Sequence, residues 1–215
     1  MRYVTACTLF CAMTARVCAG EVSITVLQAD GMPMGGAVVV AEPPSPAPAV
    51  KVAAKAIMDQ RNLQFDPEIL VVRTGTAVDF PNSDRVRHQV YSFSGAKTFQ
   101  LSLYSGSSHP PVIFDKAGLV TLGCNIHDGM IGYIYVTDSP WYGRTDAMGH
   151  LQMHGVPPGQ YTLKAWHSRF NDTASSLQRT LTVAASGDTS VQIKLTRPLR
   201  AGMHMHGGDK QWEDY

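Results

Sequence analysis

The sequence predicts an all-β protein. From residue 20 onward, short runs of alternating or β-branched residues recur, and clusters of Gly, Pro, Asn, Asp and Ser punctuate them. No segment carries the apolar 3.6-residue period of an amphipathic helix. The composition of the 215 residues is 44% hydrophobic and 16% charged, which is enough apolar material for a core. A formal net charge of +1 excludes the broad basic field that holds nucleic acid. The length suits one large β domain or two small ones.

Residues 1–19 read as a secretory signal peptide. Met1-Arg2 supplies the positive start, Tyr3 to Ala15 is apolar or small, and Val17-Cys18-Ala19 offers a signal-peptidase site. The apolar stretch falls short of the roughly 20 residues a membrane helix needs, and no later segment is apolar enough to span. The expectation is export, into a bacterial periplasm. Residues 21–42 read as a β-hairpin: Val22 to Leu27 alternates, Asp30-Gly31 turns, and Ala37 to Ala41 returns. Residues 43–55 form a Pro/Ala-rich linker, because a run such as Pro43-Pro44-Ser45-Pro46 cannot join a sheet interior. A domain of short strands is expected over 56–137. Its strands are Ile57–Asn62, Glu68–Arg73, Ala77–Phe80, Gln89–Phe93, Val112–Phe114, Gly118–Leu122 and Ile131–Val136. Residues 138–197 form a smaller β unit: Thr145–Gly149 is a turn, Val156 to His167 a Pro-Gly turn with an alternating strand, and Leu177–Val183 and Ser190–Leu195 complete it. Whether the 21–42 segment packs on this unit or on the larger domain is left open by the pattern. Residues 198–215 read as a flexible tail.

The chemistry concentrates in Cys124-Asn125-Ile126-His127-Asp128-Gly129-Met130, with His88 upstream. Cys7, Cys11 and Cys18 lie in the cleavable segment, so Cys124 is the one cysteine expected in the mature chain. A lone Cys in an exported protein is an inert core thiol, an intermolecular bridge or a ligand, and its neighbours favour a ligand. A thiolate, two imidazoles and a thioether are the donors of a blue copper centre, trigonal in Cys and two His with a weak axial Met. The Cys-x2-His-x2-Met spacing describes a tight loop between two strands, since a straight strand would alternate these residues between faces. Gly123 and Gly129 bracket that loop and give the bend its freedom. His88 would arrive from the turn-rich segment Phe80 to Arg87, and Asn82 reads either as a partner tying the two ligand loops together or as an ordinary turn residue.

Residues 56–137 resemble the cupredoxins, the Greek-key β-sandwich family of blue copper proteins. The resemblance rests on Phe65-Asp66-Pro67-Glu68-Ile69, Gly75 to Phe80, Asn82-Ser83-Asp84 through His88, and Gly118 through Met130. The short ligand loop is most similar to the amicyanin-like branch, and its flanks to bacterial proteins labelled methylamine utilization. Leu122 stands two residues before the Cys where the family often has an aromatic, and Asp128 follows His127 where Pro is frequent. Residues 138–197 resemble the carboxypeptidase regulatory-like, or transthyretin-like, fold, and the first hairpin resembles the opening of that fold. The resemblance implies one type 1 copper held by His88, Cys124, His127 and Met130. It implies no enzymatic activity and single-electron transfer between periplasmic redox proteins such as a c-type cytochrome or a dehydrogenase, with His127 as the electron exit.

Two rival readings share these residues. The same donors could hold Cu(I) in a carrier or storage protein, or the site could be vestigial in a structural module of the cell envelope. His109, His150, His154 and His167 read as loop, surface or packing residues. Met203-His204-Met205-His206 reads as a polar tail whose alternating donors could also capture copper loosely. No nucleophile elbow, phosphate loop, His-Glu-x2-His or Cys-x2-Cys is present. A closed set of four donors favours outer-sphere electron transfer over catalysis at an open metal position.

Overall fold

The computed structural model describes residues 20–45, 55–107 and 109–201. The expected signal peptide, much of the linker and the Met203–His206 motif lie outside the described residues. Apart from one 3₁₀ turn, Ser175–Leu177, every regular element is a strand. Among the described residues no helix is long and apolar enough to cross a membrane.

The middle of the chain builds a two-layer β unit. One layer has five strands, in the order β6 (Ile69–Arg73), β12 (Ile131–Thr137), β11 (Gly118–Cys124), β8 (Val90–Ser94) and β9 (Lys97–Gln100). The other has three: β10 (Val112–Phe114), β7 (Thr76–Asp79) and β3 (Lys55–Ile57). Their inner faces enclose one core that includes Val78, Val90, Phe114, Val120, Leu122, Cys124 and Ile134. A short hairpin of β4 (Asp59–Arg61) and β5 (Gln64–Asp66) closes one end. The strand expected over Ile57–Asn62 therefore splits in two, and Asn62-Leu63 becomes a turn with both residues at positive φ, 53° and 58°. Lys97–Gln100 went unread because its four residues mix polar and apolar types, as suits an edge strand.

A second pair of sheets takes strands from both ends of the chain. The first is ordered β14 (His150–Val156), β1 (Gly20–Leu27), β17 (Thr189–Lys194). The second is ordered β13 (Tyr142–Arg144), β2 (Val38–Glu42), β15 (Gly159–Trp166), β16 (Gln178–Val183). The expected 21–42 hairpin is thus not a strand pair. The chain does turn back at Asp30-Gly31, making the bridge Leu27↔Pro33, but then leaves at Gly35-Gly36 and enters the opposite sheet. The residues explain the difference. β1 alternates and buries one face, whereas Val38, Val39, Val40 and Ala41 are all buried. A strand that is apolar on both faces needs cover on both. Val39 and Ala41 face the core of their own unit, and Val38 and Val40 face a seam against Ile69 of the first unit.

That seam follows from period-2 alternation. On β12, Ile134 and Val136 enter the first core, while Tyr133 and Tyr135 face outward against Trp166 of β15. Their ring centroids lie 5.4 and 6.0 Å from that of Trp166. At the margins, Ser168 Oγ donates to Glu68 Oε1 at 2.9 Å and Ser139 Oγ to the Ala41 carbonyl at 2.6 Å. Trp166→Ala should destabilise the protein by about 3 kcal/mol, the range for truncating a packed aromatic. It should also split one thermal transition into two, measured by calorimetry; a single, unshifted transition would show that the seam does not couple the units.

Candidate metal centre

Cys124 ends β11 opposite Val90 of β8, one residue after Gly123, which pairs with both β8 and β12. It faces the core and is 6% exposed. The chain then leaves the sheet for six residues and re-enters at Ile131 of β12. Within that loop Gly129 has φ 83°, a left-handed conformation that glycine adopts without steric cost, and the Met130 amide donates to the His127 carbonyl at 3.2 Å. Gly123 is needed for a different reason than backbone freedom. The Tyr91 ring lies over it, and a Cβ there would sit 2.7 Å from Cζ of that ring.

His88 arrives from the segment between β7 and β8 and is wholly buried. It exchanges backbone hydrogen bonds with Tyr104, at 3.0 and 2.9 Å. Asn82 does not tie the two ligand loops together, as expected from sequence. Its Nδ2 donates to the carbonyls of Val86 and Tyr104, and its Oδ1 accepts from the Asp84 amide, so it braces the His88 loop against Tyr104. An amide with two donors and an acceptor suits that three-way role.

These elements bring three donor atoms together. Cys124 Sγ lies 3.6 Å from Nδ1 of His88 and 3.9 Å from Nδ1 of His127, and the two nitrogens are 3.2 Å apart. A point equidistant from all three lies about 2.1 Å from each, within the roughly 2.0–2.3 Å of nitrogen and thiolate bonds to a transition metal such as zinc. The triangle therefore fits a metal ion. It is the one group of at least three such side chains within metal-binding reach among the described residues. Met130 is 2% exposed and belongs to the same core cluster as Cys124. His127 is 8% exposed and His88 not at all, so His127 is the imidazole nearer the surface.

The electrostatics favour ligand-ready side chains. Burial pushes the His127 imidazole below its ordinary range and the neighbouring His88 pushes the same way, against an opposing pull from Asp84. The neutral ring, which has a free lone pair, is thereby favoured. Sequence reasoning missed Asp84. Its Oδ2 lies 2.8 Å from Nε2 of His88 and accepts from the Leu63 amide at 3.0 Å, while Oδ1 accepts from the Asn62 amide at 2.7 Å. Burial raises the Asp84 carboxyl, but the bonds from His88 and the two amides outweigh it and hold the group below the usual carboxylate range.

The remaining histidines among the described residues stand apart from this group. His109 packs edge-on against Tyr104, its centroid 4.7 Å away; His150 pairs with Thr25 and His154 with Glu21. Burial lowers His167 to about 4, and its Nδ1 accepts from the Arg169 amide.

No protein-family model and no curated protein matches the chain. Among solved structures, a purple cupredoxin from Nitrosopumilus maritimus is 22% identical, with a TM-score of 0.34, over 39% of this chain and 99% of its own. A reduced amicyanin variant is 23% identical, with a TM-score of 0.35, over 45% of this chain and 98% of its own. An oxidized amicyanin variant gives 20% and 0.35, over 47% and 98%.

Asn82→Ala should cost about 1–3 kcal/mol, because it strips partners from the buried carbonyl of Tyr104 and from that of Val86. The loss should appear in chemical denaturation of the metal-free protein, and amide exchange should rise in the His88 loop. Unchanged exchange there would show that the Asn82 brace is dispensable.

Proposed function

We propose that the protein is an exported type 1 copper protein that carries single electrons between redox partners, and is not an enzyme. The observation that supports the reading is the buried triangle of Cys124 Sγ and the Nδ1 atoms of His88 and His127. Its donor set, Cys and two His with Met130 close by in the loop, matches the chemistry of blue copper sites. One copper bound there would supply a one-electron Cu(II)/Cu(I) couple.

The residues divide the work by position. Cys124 supplies the charged, soft donor and is anchored in the sheet, which keeps it from moving when the charge of the site changes. His88 would hold the copper from the interior. His127 would hold it from the surface loop, and its slight exposure would offer a way for an electron to pass between the site and a docked partner. Met130 would add a weak thioether donor that tunes potential. Burial excludes water and leaves no position for a substrate, which favours transfer through the ligands over chemistry at the metal. The partners proposed are periplasmic redox proteins, a c-type cytochrome or a dehydrogenase.

Loading with Cu(II) should give an intense visible thiolate band, and Cys124→Ser should abolish it together with most tight binding, since a neutral hydroxyl cannot replace a soft thiolate. A colour that survives in Cys124→Ser would overturn the assignment. Met130→Gln should keep the colour yet lower the reduction potential measured by voltammetry, because a harder carbonyl oxygen favours Cu(II). An unchanged potential would remove Met130 from the ligand set.

A further inference from the structure

Asp84 stands outside the donor triangle, yet three hydrogen-bond partners from two separate parts of the structure meet on its carboxylate. It lies four residues before His88, and its side chain is 12% exposed. The β4–β5 turn reaches it through the amides of Asn62 and Leu63, and His88 reaches it through Nε2. Both residues of that turn take positive φ, a conformation that is strained for a Leu. A turn of that kind persists where the surroundings over-determine it, and the carboxylate is what it bonds to here.

We infer that Asp84 is a positioning residue for the metal site, fixing the tautomer and ring orientation of His88 and tying both to the Asn62-Leu63 turn. The inference rests on the copper reading for its effect on potential, although its effect on His88 does not.

The argument is one of proton placement. An ionised carboxylate offers acceptors only, so the bond to Nε2 requires the proton to sit on that nitrogen. In a neutral ring the other nitrogen, Nδ1, then carries the lone pair. Nδ1 is the atom that faces Cys124 and His127. The ring is thus ready to bind a metal before one arrives, which spares the site a reorientation on binding. Carboxylate partners of this sort also raise the basicity of the ligating nitrogen. A negative charge on the far side of the imidazole favours the higher-charged metal state, so the partner should hold the reduction potential down.

Asn at this position cannot copy the arrangement. Oδ1 and Oδ2 both accept backbone amides, and an amide group has one oxygen for these two sites. With its NH2 on the Oδ2 side it would donate to Nε2 and drive the proton to Nδ1, closing the metal-binding lone pair. With its NH2 on the Oδ1 side it would face the Asn62 amide.

The test begins with the metal-free wild-type protein, whose His88 nitrogens are read by ¹⁵N NMR. The expected result is a proton on Nε2 and none on Nδ1; a proton on Nδ1 would overturn the inference whatever the metal proves to be. Copper affinity and reduction potential are then compared in wild type, Asp84→Asn and Asp84→Ala. Their folding is checked by the near-ultraviolet circular dichroism of the aromatic seam. Affinity should fall about 10–100-fold, the range seen when such partners are removed. If Cu(II) loses about tenfold more than Cu(I), the potential rises by about 60 mV, at 59 mV per tenfold for one electron. Folded variants with wild-type affinity and potential would also overturn it. A wild-type protein that binds copper without a thiolate band would defeat the electron-transfer reading alone, since the tautomer result stands independently.

Discussion

The structure depends on holding a thiol and two imidazoles within 4 Å of one another in a dry interior. Sγ of Cys124 and the two Nδ1 atoms form a triangle with sides of 3.2 to 3.9 Å. Such a convergence is costly without a metal, because buried polar atoms face each other with little water to separate them. The rest of the first unit spreads that cost. β11 is held between β12 and β8, and Cys124 pairs with Val90 of β8 directly after Gly123, which sits in both ladders. His88 is pinned through its backbone by Tyr104 and through its ring by Asp84. His127 alone sits on a loop, but a six-residue loop between paired strands has few conformations open to it. A donor set so held would change little in geometry on taking up a metal ion.

The second unit contributes no donor to the triangle. Its role in the structure is to cover the outward face of β6 and β12, where Val38, Val40, Tyr142 and Trp166 pack against Ile69, Tyr133 and Tyr135. β12 begins immediately after Met130, so the seam also fixes the strand into which the ligand loop returns. The partnership explains why β2 reads as an unbroken apolar run. It is the layer shared between the core of its own unit and the seam, buried on both sides.

How legible this was in the sequence depended on whether each signal was local. The ligand loop was readable because the spacing of Cys124, His127 and Met130 and the strands on either side lie within twenty residues. Most strands of 56–137 were readable from alternation between turn residues. The pairing of β1 and β2 was not, since their partners lie beyond residue 140 and only burial on both faces of Val38–Ala41 pointed away from a simple hairpin. Asp84 was missed for the same reason. In Asn82-Ser83-Asp84-Arg85 it looks like one more turn residue, and its role appears only when Asn62 and Leu63, 22 and 21 residues earlier, fold against it. For Asn82 the sequence left a tie between the ligand loops and an ordinary turn role open, and its bond to the Tyr104 carbonyl was not legible because Tyr104 carries no motif that marks it as the segment beside His88.

X-ray absorption at the copper edge of the loaded protein, recorded oxidised and reduced, addresses the central claim most directly. The account requires one sulfur and two nitrogens in the first shell, at roughly 2.0–2.3 Å, with little change between the two states. A first shell of oxygen and nitrogen alone, or one that loses its sulfur or rebuilds its coordination on reduction, would contradict it.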